Sequence, residues 1–168
     1  MSTEKKAIAG RTTFQKLTYF YGLKTGIPTH HIAHFYGPYS TQVTVGLSSL
    51  LSMGLVEEQR QITRNGHVMY IYNLTNVGRK IGIELVRRSK EYSDVKQITK
   101  VCDEKANLNP DILSMAAKVK YIAIESKKRK LSYTEVVEIA KKWGWKLRTE
   151  QIDSGVKLLE GLGFARRS

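Results

Sequence analysis

Residues 37–56 read GPYSTQVTVGLSSLLSMGLV, and residues 57–74 read EEQRQITRNGHVMYIYNL. In the first part, apolar residues recur at helical spacing after Ser40, and serine is a preferred helix N-cap. In the second part, two alternating segments flank Arg64-Asn65-Gly66. Asn-Gly between such segments is typical of a type I′ hairpin turn, in which both central residues have positive φ. The sequence therefore predicts a helix followed by a basic-tipped hairpin.

A first helix is predicted upstream of this stretch. Thr12 and Gln15 have capping-box spacing, so the helix should begin at Thr13. Its buried face is expected to hold Phe14, Leu17, Phe20 and Tyr21, which share one side at helical spacing.

A short second helix is predicted from His30 to Tyr36. Thr29 is a natural N-cap for it, and Ile32 and Phe35 should turn inward. Gly37-Pro38 would then form the turn into the third helix. Three helices followed by a hairpin predict a winged helix-turn-helix, with the third helix as recognition helix and the hairpin as wing.

The outer face of the third helix is suited to contact base edges. Glutamine bonds bidentately to adenine, and threonine meets thymine methyls or phosphates. No carboxylate lies on this face, whereas a surface chosen only for stability more often uses Glu, Lys and Ala. A solvated face rich in Ser and Thr is the alternative. The side chains predicted to contact DNA are Tyr39, Ser40, Thr41, Gln42, Thr44, Val45 and Ser48.

The hairpin tip and the following helix supply cations for the DNA backbone. Arginine at a wing tip suits a narrow minor groove or a phosphate, although a solvent-exposed turn is the alternative. Thr75 should cap a helix that runs through Arg88. The residues predicted to contact backbone or minor groove are Arg60, Arg64, Asn65, His67, Arg79 and Lys80.

A resemblance to known regulators rests on several short motifs. These are Leu50-Leu51-Ser-Met-Gly54-Leu55-Val56-Glu57 and Asn73-Leu74-Thr75-Asn-Val-Gly78-Arg79. They resemble the "GLV" step into the wing and the "LT…GR" step into the next helix of MarR-like and PadR-like winged-helix transcription regulators. Residues 10–20 with Tyr36-Gly37-Pro38-Tyr39-Ser40 look more like little-characterised prokaryotic, largely archaeal winged-helix proteins. The chain departs from the MarR-like pattern in having no long N-terminal dimerisation helix.

Composition agrees with a polyanionic partner. The 168 residues contain 28 Lys and Arg against 15 Asp and Glu, a formal charge of +13, which favours nucleic acid first and an anionic membrane surface second. No signal peptide or apolar membrane span is predicted, and the single cysteine, Cys102, cannot form an internal disulfide. We expect a cytoplasmic protein.

The second half echoes the first without its wing. Asn109-Pro110 should start a helix, and Ser132 with Glu135 should form a capping box. Ile139-Ala140 and Leu158-Leu159 then occupy positions like those of Ile32-Ala33 and Leu50-Leu51. Because carboxylates repel phosphate, the third helix of this echo, which carries Glu150, Asp153 and Glu160, indicates packing or assembly rather than DNA contact. Coincidence of a common helical pattern is the alternative.

The predicted fold is mostly α with a small β-hairpin. A winged-helix DNA-binding domain should cover residues 10–90, a helical linker 91–108 and a wingless helix-turn-helix-like domain 109–168. One helix is expected from Glu84 to Glu104, either as a homodimer contact or simply as the connection between halves.

No catalytic or metal site is predicted. His30 and His34 have helical i, i+4 spacing, but two imidazoles without further ligands do not make a zinc site. No phosphate-binding loop, nucleophile elbow or carboxylate pair is present. We therefore expect no enzyme activity and no cofactor.

The expected function is duplex-DNA binding by a transcription regulator. A protein-interaction module, such as an antitoxin or an assembly subunit that uses the same scaffold for docking, is the alternative. RNA binding ranks last, because it should show exposed aromatic residues among basic ones. The sequence places most of the aromatic residues on buried helix faces.

Overall fold

Seven helices and three short strands make up residues 7–63, 65–128 and 130–165, which the computed structural model describes. This confirms the prediction of a mostly α-helical chain with a small β-hairpin. The elements, in chain order, are β1 (Ala7–Ala9), α1 (Arg11–Thr25), α2 (Thr41–Ser52), β2 (Val56–Ile62), β3 (Val68–Leu74), α3 (Asn76–Arg88), α4 (Tyr92–Ala106), α5 (Pro110–Ser126), α6 (Tyr133–Lys141) and α7 (Thr149–Gly161).

The hairpin is the core of a three-stranded antiparallel sheet with the order β1-β3-β2. β2 and β3 pair along their full lengths, from Val56 opposite Leu74 to Ile62 opposite Val68, so the predicted hairpin is confirmed. The sequence did not predict β1, which pairs Ala7 with Asn73 at the outer edge of β3. Three residues are too few for alternation to reveal a strand.

The turn of the hairpin differs from the predicted type I′. Gly66 has φ +76°, but Asn65 is not among the described non-glycine residues with positive φ. The Gly66 N–H donates to the Thr63 carbonyl over 2.9 Å, and the Thr63 N–H donates to the His67 carbonyl over 2.8 Å. The loop is therefore longer than two residues, and among its described residues Gly66 has the left-handed conformation.

α1 begins two residues before the predicted Thr13, at Arg11, with Gly10 as the N-cap. The Gly10 N–H donates to the Tyr70 carbonyl over 2.7 Å, which ties the start of the helix to β3. The predicted capping box does not form, because the Gln15 side chain bonds instead to the backbone of Ser40. Tertiary contacts therefore set the start of this helix.

The predicted helix from His30 to Tyr36 is wrong. The chain there is a loop closed by a bridge, in which Ile32 and Tyr39 exchange both backbone hydrogen bonds at 2.9 Å. His30 has φ +48°, which a right-handed helix does not allow. Ile32 and Phe35, expected to face inward, are 64% and 70% exposed. The segment between α1 and α2, predicted to be a helix, is thus a loop.

The continuous helix predicted from Glu84 to Glu104 is also interrupted. α3 ends at Arg88, and Ser89 is extended, with φ −93° and ψ 123°. The prediction that Thr75 caps α3 is confirmed, since its side chain accepts from the Gly78 N–H. Nearly all of α3 is exposed, so no packing surface continues from it into α4.

The second half contains the three predicted helices. Asn109 caps α5 ahead of Pro110, and Ser132 with Glu135 forms the predicted capping box at α6. A Cβ added at Gly155 of α7 would lie 3.0 Å from the backbone nitrogen of Ala116 in α5, so glycine permits close packing of these two helices. Because the matching segment of the first half is a loop, the two halves share helix positions only at their first and third helices.

One hydrophobic core joins the two halves. Tyr19 and Phe20 of α1 lie in the same buried cluster as Ile98 of α4 and Leu113 of α5. The Phe20 ring lies 6.3 Å from that of Phe164, close to the end of the described chain. The core thus draws on residues from both sides of the predicted linker, and the second half supports α1 directly.

Candidate nucleic-acid interface

α2 is fixed at its N-terminus by a single glutamine of α1. The Gln15 amide donates to the Ser40 carbonyl and to Thr44 Oγ1, both over 2.9 Å, while its carbonyl accepts from the Ser40 N–H over 3.0 Å. Ser40 caps the helix by accepting from the Val43 N–H. Gln15 therefore holds α2 in register on α1, a role that its sequence position did not suggest.

Four of the predicted base-contacting side chains lie on an exposed surface, which we call the α2 face. It consists of Thr41, Gln42, Val45 and Ser48, together with the neighbouring Ser49. A shallow groove runs along it towards Met53, beside Ser52. Neutral donors, acceptors and methyl groups are therefore presented together.

Three predicted contact residues lie elsewhere. Ser40 is fully buried, and its hydroxyl serves the helix cap. Thr44 is half-buried and donates to the Tyr39 hydroxyl over 2.8 Å. The Tyr39 ring lies 5.0 Å from that of His34. Ser40, Thr44 and Tyr39 thus hold the N-terminal part of α2 in place rather than extend the α2 face.

The hairpin tip presents its polar side chains to solvent. Arg60 on β2, Asn65 in the turn and His67 before β3 are all exposed. The predicted contact at Arg64 lies outside the described residues. The hairpin leaves the C-terminal end of α2 at Val56, so these groups extend from the end of that helix.

The start of α3 is locked against the end of α2. The Thr75 N–H donates to the Leu55 carbonyl over 3.1 Å, and the Thr75 hydroxyl donates to the Gly54 carbonyl over 2.7 Å. Gly78 permits this approach, because a Cβ there would lie 1.9 Å from the Leu55 oxygen. Arg79 and Lys80 follow, both exposed. Two predicted backbone-contacting cations are thus brought beside the end of α2.

A polar cluster that sequence reasoning missed joins α1 to the sheet. Arg11 Nε donates to the Tyr72 hydroxyl over 2.9 Å, and Arg11 Nη2 lies 3.2 Å from Glu58 Oε2. The Tyr72 hydroxyl donates to the same carboxylate over 2.7 Å. The hydrogen bond from Tyr72, assisted by Arg11, holds the pKa of Glu58 below its ordinary value. The negative charge of Glu58 is therefore compensated locally, whereas the neighbouring Glu57 is exposed.

This cluster borders a cleft of about 320 Å³ between α1, α2 and the sheet. Phe14, Leu47 and Leu51 supply its apolar wall, and Gln15 and Ser48 are among its polar groups. Residues 61 positions apart meet in this cluster. Local patterns in the sequence carry no signal for such pairs, so only the fold reveals them.

The loop that replaces the second helix is held by side chains from other elements. Trp145 Nε1 donates to the His34 carbonyl over 2.7 Å, and the Ser114 hydroxyl donates to the Tyr36 carbonyl over 2.6 Å. Lys16 Nζ donates to the Pro38 carbonyl over 2.7 Å. Burial, with a smaller effect of the nearby Lys118, lowers the pKa of Lys16 to about 7. Both halves of the chain thus fix this loop.

The histidines and the cysteine considered for metal or thiol chemistry lie in surroundings that do not favour that chemistry. No group of three or more potential metal ligands occurs among the described residues, and the helical spacing assumed for His30 and His34 does not exist. His31 bonds to Thr29 Oγ1 over 2.8 Å, and burial lowers its pKa to about 4. Burial raises the pKa of the Cys102 thiol to about 12, which disfavours the reactive thiolate.

In the described part of the chain, no helix has the length and apolarity needed to cross a membrane.

Comparison with known proteins finds partial similarity to an uncharacterised protein. The chain is 34% identical over 73 residues to the uncharacterised protein YwgA of Bacillus subtilis (strain 168). The matched segment covers 42% of this chain and 43% of YwgA, so the chain spans less than half of that relative. No protein-family model matches the chain.

Proposed function

We propose that the chain binds duplex DNA as a transcription regulator, with the α2 face in the major groove and the hairpin and the start of α3 on the flanking backbone. The carboxylate-free α2 face carries the proposal. Its exposed amide at Gln42, hydroxyls at Thr41 and Ser48, and methyls at Val45 match the donors, acceptors and thymine methyls of base edges. Binding rather than catalysis is the proposed activity.

The surrounding charge supports an anionic partner. Arg60, Arg79 and Lys80 are exposed beside the two ends of the hairpin, while the Glu58 carboxylate is already paired with Arg11. Three such cations on phosphates release counterions, which predicts a slope of log K against log salt of about −3. We therefore propose a cytoplasmic location, where a regulator of this kind would contact the chromosome.

The test is fluorescence anisotropy of a labelled mixed-sequence duplex at 50 to 300 mM salt. The wild type should show a slope of about −3, and Arg79→Ala should reduce its magnitude by about 1 for all sequences alike. Lys157→Ala, which removes an exposed cation from α7, is the matched control and should leave the slope unchanged. Affinity that does not depend on salt, or a slope that Arg79→Ala does not change, would contradict the proposal.

A homodimer is proposed on the exposed apolar side of α3. Val77, Ile81 and Leu85 recur at helical spacing and are all exposed, although they are apolar. A two-fold pair joined there would place its DNA half-sites about 34 Å apart. Light scattering should show a dimer that Leu85→Glu dissociates, whereas a wild-type monomer at all concentrations would contradict this assembly.

Protein docking is the second candidate function, and the same α3 side favours it. Exposed apolar stripes are typical of protein contacts. A stoichiometric partner that copurifies through α3, with no DNA binding at moderate salt, would favour this function over the first.

A further inference from the structure

The loop from Thr29 to Tyr39 carries two exposed aromatic side chains, Phe35 and Tyr36, which we call the aromatic tip. They are 70% and 61% exposed, and their centroids lie 5.0 Å apart. Burial of either ring in the core would stabilise the fold, yet the structure leaves both in solvent. The expectation that Phe35 faces inward is therefore wrong, and Tyr36 is another exception to the expected burial of most aromatic residues.

The aromatic tip is held out by specific bonds. The backbone carbonyls on both sides of Phe35 accept from Trp145 and Ser114, the latter across 78 residues of sequence. The Gly37 N–H donates to the His34 carbonyl over 2.8 Å, which closes the turn that carries the two rings. A loop fixed in this way loses little conformational freedom when a ligand stacks on its rings.

The segment of the second half that holds the loop is rich in cations. Residues 26–39 contain no Asp or Glu. The segment that holds the loop, residues 139–148, also contains none, and it carries the exposed cations Lys141, Lys142, Lys146 and Arg148. Lys141 pairs with Glu138 of its own helix. Lys118, with Asp111 nearby, lies over the Trp145 ring at 5.4 Å.

We infer that the aromatic tip stacks on unpaired bases of single-stranded DNA that adjoins the duplex bound by α2. Exposed aromatic rings on a loop that a cation-rich segment holds match a polyanion that also presents flat π-faces. Paired bases keep those faces inside the stack, so an aromatic tip gains little from an intact duplex. The loop runs into Ser40, the cap of α2, which puts the unpaired segment beside the DNA that α2 contacts. This inference rests on the proposed duplex binding.

The test compares a blunt 20-base-pair DNA duplex with the same duplex carrying a three-nucleotide single-stranded tail. A tail base is replaced by 2-aminopurine, whose fluorescence reports stacking. One stacked base should tighten binding about tenfold, with a change in 2-aminopurine fluorescence. The double variant Phe35→Ala with Tyr36→Ala should lose this advantage while binding the blunt duplex within twofold of wild type and keeping its thermal midpoint.

Ile32→Ala is the matched control, because Ile32 is an equally exposed apolar residue of the same loop. The Ile32→Ala variant should keep the preference for the tailed duplex. Loss of that preference in Ile32→Ala would overturn stacking as its cause. Equal wild-type affinity for blunt and tailed duplexes would overturn the inference but leave the proposed duplex binding intact. Failure to bind either duplex would overturn both. Tighter binding of an RNA tail than of the DNA tail would overturn the choice of DNA.

Discussion

Lys16 provides a stringent test of the junction between α1, the loop from Thr29 to Tyr39 and the second half. Its side chain is 1% exposed, and its ammonium contacts the Pro38 carbonyl. Burial lowers its pKa from 10.5 to about 7. Between these two pH values the unfolded chain binds a proton at Lys16 and the folded chain does not. Raising the pH through this window therefore stabilises the fold, by about 1.4 kcal/mol per pH unit at most.

Between pH 7 and 9.5 the wild type should gain about 3 kcal/mol of unfolding free energy from this group. Lys16→Met removes the titration at similar side-chain length, so the difference between the two proteins isolates it from the other ionisable groups. Urea denaturation at half-unit pH intervals measures both. A difference in unfolding free energy between the two proteins that stays constant over this pH range would refute the burial of Lys16 at this junction.

Three further predictions concern other parts of the fold. Gly78→Ala should lower the unfolding free energy by at least about 2 kcal/mol, because its Cβ would strike the Leu55 carbonyl. Gly82→Ala in the same helix meets nothing closer than 4.0 Å and should stabilise by about 0.5–1 kcal/mol; equal effects in urea denaturation would contradict the locked start of α3. Burial lowers the pKa of His31 to about 4, so the unfolded chain binds the proton first and stability should fall as the pH drops from 6.5 towards 4. An NMR titration midpoint near 6.5 would disprove this. Cys102 is buried, so iodoacetamide should label it in denatured but not in native protein at pH 8.

The sequence predicted those elements whose signals are local. Apolar spacing and a serine cap identified α2, and alternation around Gly66 identified the hairpin. The capping box at Ser132 and the proline after Asn109 likewise placed α5 and α6. In each case neighbouring residues satisfy the backbone groups that end the element, so the sequence alone holds the information.

The errors arose where distant residues satisfy the backbone. The segment from His30 to Tyr36 has a helical pattern, but its carbonyls bond to Trp145 and Ser114, far along the chain. The same competition removed the capping box at Gln15, whose amide bonds to Ser40 instead. Sequence reasoning assigns such polar groups to their neighbours, and so it misplaced them.

The sequence predicted only part of the candidate interface, because distant residues also bind some of its polar side chains. The exposed residues of α2 follow from helical periodicity, and Gln42 and Ser48 lie where it places them. Ser40 and Thr44 were expected on that face as well. They bond inward because Gln15 and Tyr39 lie beside them in the fold, and helical spacing does not report such neighbours.

Because the α2 face is proposed to read bases, selection from a random duplex pool is the decisive measurement of its function. Wild-type protein should enrich a defined DNA motif. Gln42→Ala should lose preference at one base position, worth about 1–3 kcal/mol, while keeping the salt dependence. No enriched motif from the wild type, or the same motif at unchanged strength from Gln42→Ala, would contradict the assignment of α2 as the recognition helix.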